Sequence, residues 1–168
     1  MQLPSEAFSN NNKMETISIK EAYNELKKKH RDLPQFDDID SEFEISAIEE
    51  PVLIKAVRRK ITEKIDYYAG LVKDLLQPES DIINMYECRA FGDDEKEDVY
   101  NTLKRLMFLS RLSAEVALKA DEKEDALFIS SSFREWIGIK PKLLEIISKI
   151  RGSWEKDTDL KEDLGYFG

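Results

Sequence analysis

The chain holds one histidine and one cysteine, and those two counts restrict its chemistry more than any other feature. His30 stands in Lys27-Lys28-Lys29-His30-Arg31, at the predicted end of a first helix, where positive charge complements the negative helix terminus. A general base needs an orienting partner and a pocket, and the sequence supplies His30 with neither, so a capping role is expected. Cys88 lies beside Arg89, which can favour a thiolate, yet no second cysteine or neighbouring histidine accompanies it. A half-buried structural thiol is expected there. One residue of each type excludes a zinc site built from Cys and His, and also a di-iron site that needs Glu-x-x-His twice. Neither GxxxxGK[ST] nor GxGxxG is present to cradle phosphates, and Ser130-Ser131-Ser132 lacks the Gly-x-Ser-x-Gly elbow of a serine nucleophile. No catalytic, metal or cofactor residue is assigned, and the reading leans away from an enzyme.

Carboxylates are the remaining reactive groups. Asp38, Asp40, Glu42, Ser46 and Glu49 occupy positions one, three, five, nine and twelve of a segment that resembles a calcium-binding loop. Its sixth position requires glycine for a sharp turn and holds Phe43 instead, so a solvated acidic linker with Phe43 and Ile45 pinned to the core is expected. Glu115, amid Ala114, Val116 and Ala117, is the best candidate for an inward-facing magnesium ligand. Arg111 and Lys119, four residues to either side, offer ordinary helix-surface ion pairs instead. A carboxylate-based, magnesium-dependent enzyme acting on a small phosphorylated molecule is one alternative function.

Lys55, Arg58 and Arg59 form a candidate basic patch, which Lys27 to Arg31 would extend if the two helices were neighbours. A nucleic-acid accessory role for that patch is the other alternative. The net charge of −9 and pI near 4.8 disfavour nucleic acid and anionic membranes, since phosphate binding rests on Lys and Arg. Two features point instead to association with protein. Phe108, Leu112 and Val116 make a helix apolar well beyond its main stripe of Val99, Leu103, Leu106, Ser110, Ala114 and Ala117. Leu164, Tyr166 and Phe167 end an acidic tail, where charge steers and aromatics anchor. The leading expectation is a non-enzymatic interaction module or complex subunit, as a homodimer or with another protein.

Helices must position all of these groups. Ile54, Val57, Ile61, Ile65, Tyr68, Val72 and Leu75 recur at steps of three or four between Pro51 and Pro78, predicting one long helix over about 51–76. Gly70 within it suggests a close neighbour or a bend. Ser18 and Glu21 form a capping box ahead of a first helix that Leu33-Pro34 ends. Ser80 can cap a short helix through Tyr86, and Asp93 or Asp94 a long one over about 95–118. Asp121 can cap a helix that stops at Gly138, and Pro141 can open a last one ended by Gly152. Strand alternation is absent. The expected fold is an all-α, single-domain bundle of five or six helices over 16–154, with a leader at 1–15 and an acidic, aromatic-tipped tail at 155–168. With 168 residues, one cysteine and no membrane-length apolar run, a soluble cytoplasmic protein is expected.

Overall fold

The computed structural model describes residues 17–78 and 81–156. Among these, six α-helices and one short 3-10 turn account for the regular structure, with no strand: α1 Ile19–Lys29, α2 Phe36–Phe43, the turn Ile45–Ala47, α3 Leu53–Leu76, α4 Ile82–Arg89, α5 Asp93–Lys119 and α6 Glu122–Trp154. The all-α bundle with a long central helix is thus the observed architecture. No helix among the described residues is long and apolar enough to cross a membrane.

α3, α5 and α6 pack against one another and carry the core. On α3, Ile54, Val57, Ile61, Ile65, Val72 and Leu75 are all buried, each worth about 1.5–3 kcal/mol of transfer free energy. Asp98–Lys142 at 2.8 Å joins early α5 to the second half of α6, Arg105–Glu135 at 2.9 Å joins their middle parts, and Lys119–Glu124 at 3.1 Å joins the end of α5 to the start of α6, so these two helices run antiparallel. Tyr68 and Trp136 stack with ring centroids 5.7 Å apart, and Arg58 reaches Asp125, so α3 runs parallel to α6. α2 closes one flank, with Phe43 against Trp136 at 5.6 Å. α4 closes another, where the Tyr86 hydroxyl donates to the Ser153 carbonyl at 2.6 Å.

Local chemistry sets the helix ends. Ser18 accepts from the Glu21 N–H at 3.3 Å while Glu21 accepts from the Ser18 N–H at 3.0 Å, the reciprocal box that the sequence announces. Asp121 accepts from the N–H groups of Lys123 and Glu124, as expected. Four expectations are corrected. α5 is entered through Gly92, whose N–H donates to Glu95 at 2.8 Å, rather than through an aspartate cap. Asp81 accepts from the first N–H groups of α4 and is its cap residue, the place expected of Ser80, which itself lies outside the described residues. α3 begins at Leu53, two residues beyond Pro51.

The fourth correction is larger. The helix after Asp121 does not stop at Gly138, because α6 continues through Pro141 for 33 residues. Trp136, Ile139, Leu143, Ile146 and Ile150 are buried in one continuous register across the proline, so core burial overrides the local break. Pro141 and Ile137 lie on the exposed side, where water can serve the Ile137 carbonyl that proline leaves without a helical donor.

Gly70 also departs from expectation, since a Cβ built there meets nothing within 4 Å. Neither a close neighbour nor a positive φ requires glycine at this exposed helical position. Gly70→Ala should therefore stabilise the fold by about 1 kcal/mol, a rise of roughly 2–4 °C in Tm. An unchanged or lowered melting temperature by calorimetry would count against this account of the position.

Candidate functional site

The α5–α6 seam holds an open groove of about 540 Å³, lined by Lys104, Arg105, Phe108, Leu109, Leu112, Ser131 and Glu135. Leu109 turns into the core, Leu112 is half-buried, and Phe108 stands out with 66% of its surface exposed. The third residue of the predicted face, Val116, belongs to the core at 3% exposure, so the partner-binding surface narrows to Phe108 and Leu112. Its phase explains this correction: Val116 lies seven positions from Leu109 and shares that residue's inward side. Ser131 faces the groove from α6 and satisfies its own hydroxyl by donating to the Phe128 carbonyl at 3.1 Å. Arg105 and Glu135 bridge the rim at 2.9 Å, a surface pair that fixes geometry more than it adds stability.

A buried polar cluster joins α3, α5 and α6. Arg58 Nε donates to Asp125 at 2.6 Å, and its Nη1 reaches the Ser113 hydroxyl and carbonyl at 3.3 and 3.4 Å. Thr62 completes the set with a 2.6 Å contact to Ser113 and a bond to the Arg58 carbonyl. The Asp125 side chain is 2% exposed and that of Arg58 12%. Arg58 is therefore not part of a surface patch. It lies beside the buried stripe of α3 because its position follows Ile54 by four and precedes Ile61 by three. Arg59 is tied to Glu50, and Lys55 stays exposed, so the predicted basic residues do not converge on one face.

The other candidates are placed as follows. Glu115 points outward and pairs with Lys119 at 3.0 Å. Asp38 to Phe43 are helical, so the last six residues of α2 stand where the calcium-loop conformation would begin. Among the described residues, no group of three or more His, Cys, Asp and Glu side chains could hold a metal ion. His30 is the C-cap residue of α1, and its Nε2 lies 2.8 Å from Glu122. Lys29 shares that carboxylate, and the hydrogen bonds from Lys29 and His30 hold Glu122 below the ordinary carboxylate range. Cys88 is half-buried on α4. Leu164, Tyr166 and Phe167 lie outside the described residues.

Sequence reasoning missed Glu42. Its carboxylate accepts from Trp136 Nε1 at 2.8 Å and Lys140 at 2.6 Å, clasping α2 to α6. Burial pushes Glu42 up, but the hydrogen bonds from Lys140 and Trp136 and the charges of Lys140 and Lys64 outweigh it and leave the group lowered. Only the Phe43 neighbour hinted that this acid faces inward.

No protein-family model, curated protein or solved structure matches the chain.

Two outcomes follow from this geometry. Asp125→Ala strands Arg58 in the interior and should destabilise by about 3–5 kcal/mol in denaturant titration, whereas Arg58→Met with Asp125→Leu recovers most of the loss. A mild effect of Asp125→Ala would refute the buried pair's role. Glu42, with its lowered folded pKa, contributes stability that is fully present above the ordinary glutamate value near 4.3 and disappears as pH falls through the lower folded value. Below about pH 4.3, the denaturation midpoint of the parent should therefore fall more steeply than that of Glu42→Gln, and parallel curves would show that the clasp does not titrate.

Proposed function

We propose that this chain is a helical interaction module that docks protein at the α5–α6 groove. The observation that carries the reading is Phe108, a large apolar side chain two-thirds exposed beside a groove floored by Leu109 and Leu112. Exposed aromatics next to apolar hollows are the usual anchors of protein interfaces, with charged residues at the rim. Lys104, Arg105 and Glu135 supply such a rim. The groove is open along two helices, a shape that suits an apolar helix face from a partner.

Replacing Phe108 by a photoreactive phenylalanine in cells that make the chain should give a discrete protein adduct. The same residue at Tyr67, equally exposed on α3, serves as control and should give none. Identical smears from both positions, or no adduct at 108, would sink the proposal. Phe108→Ser should meanwhile leave the melting transition within about 0.5 kcal/mol of the parent, as for other surface substitutions.

A further inference from the structure

The chain carries a net charge of −9, yet cations outnumber acids around the groove. Within about two turns of Phe108 on α5 and one turn of Ser131 on α6, the exposed charged residues are Lys104, Arg105, Arg111 and Arg134 against Glu115 and Glu135. Asn101, exposed on the same arc, adds no charge. Farther along the seam, as far as Glu97 at one end and Lys123 at the other, Lys119, Lys123 and Lys142 are matched by Glu97, Asp98 and Glu124. The positive excess therefore belongs to the groove.

These cations stand on both sides of an apolar floor. At about 100° per residue, Leu109 and Leu112 fall on the side of Phe108 toward α6, while Lys104 and Arg111 fall on the side away from it. Arg134 rises from α6 three positions after Ser131, its Nε donating to the Ser130 carbonyl at 3.3 Å. Lys104, Arg111 and Arg134 have no carboxylate partner among the described residues, whereas Arg105 is tied to Glu135 and Glu115 to Lys119. From this placement we infer that the occupant of the groove is an acidic amphipathic helix of another protein. Its apolar stripe covers Phe108 and Leu112, and its flanking carboxylates meet Lys104 and Arg111 on one side and Arg134 on the other.

Charges at an interface rim steer encounter and select partners more than they add affinity, so the acidic flanks supply specificity and the apolar stripe supplies the hold. The acidity of the chain as a whole does not oppose this. At physiological salt a charge is felt over about 8 Å, so the cations beside the groove govern the approach, and the net −9 is spread over the remaining surface. A basic helix would bring like charges against three unpaired cations. A neutral one would gain the apolar contact and leave those cations to water.

This inference rests on the reading of the groove as a docking face, and its test separates the two. Two synthetic helical peptides share one leucine and tryptophan stripe, with glutamate flanks in the first and lysine flanks in the second. Titrated with the full chain and read by fluorescence anisotropy, the glutamate peptide should bind about tenfold more tightly at low salt. The difference should shrink as salt rises. Lys104→Glu, Arg111→Glu and Arg134→Glu together should reverse the order of the two peptides. All three side chains are exposed, so the melting temperature should hold. The milder set Lys104→Gln, Arg111→Gln and Arg134→Gln should bind both peptides equally. Equal binding by the parent chain, a preference for lysine, or an order that survives the reversals overturns the acidic partner. Failure of both peptides to bind overturns it too, as does self-association that Phe108→Ser abolishes, which would put a second copy on the face. The groove reading is judged apart from charge. It survives if Phe108→Ser weakens both peptides alike or the photoreactive residue at 108 captures a protein, and falls if neither occurs.

Discussion

The bond between Arg58 and Asp125 is the constraint on which the three long helices depend. Two opposite charges have been taken out of water, at a desolvation cost that only good geometry and further hydrogen bonds offset. Ser113 and Thr62 supply those bonds, so the cluster draws one residue or more from each of α3, α5 and α6. Apolar stripes can slide past one another by a turn at modest cost. A buried guanidinium cannot, because its donors match one carboxylate and one hydroxyl in one alignment. The register of the three long helices, and with it the α5–α6 groove, is therefore tied to this polar contact.

The remaining cross-helix polar contacts divide into two kinds. Glu42 with Trp136 and Lys140, and the buried pair of Tyr86 with Ser153, fasten the short helices α2 and α4 to α6. Arg105 with Glu135 and Lys142 with Asp98 lie along the open seam and are hydrated. The first kind fixes the scaffold, while the second leaves the outer face of α5 free of covering elements among the described residues. The proposed docking face is thus the side of the bundle that the scaffold contacts do not use.

Much of the architecture was legible because burial leaves a periodic trace. The α3 stripe, the Ser18–Glu21 box and the Asp121 cap were all written at the right spacing. What misled was local punctuation. Gly138 and Pro141 read as a stop and a start, although Trp136, Ile139, Leu143 and Ile146 keep one phase across them, and that longer register was the better signal. Arg58 and Arg59 look alike in the sequence, yet one is largely buried and the other exposed, because neighbouring positions on a helix point about 100° apart. Asp125 carried a readable clue, an acid in phase with Phe128, Ile129 and Ser132. Val116 failed for the opposite reason, since an apolar residue on a helix that is apolar on several sides could be assigned to either face. Glu42 and its partners lie more than ninety positions apart, beyond the reach of any local pattern.

α6 stands last among the described helices, and this order has a consequence for how the chain comes into being. A ribosome delivers Arg58, Glu42 and Tyr86 well before Asp125, Trp136, Lys140 and Ser153 exist, since synthesis proceeds from the N-terminus at roughly 5–20 residues per second. For several seconds the earlier helices hold a charge, a carboxylate and a phenol whose folded partners are still unmade. The antiparallel α5–α6 hairpin, joined by the left-handed turn at Ala120, then zips by contacts close in sequence, which form quickly. In a chain made in this order, the final described helix is the one that supplies the partners of Arg58, Glu42 and Tyr86.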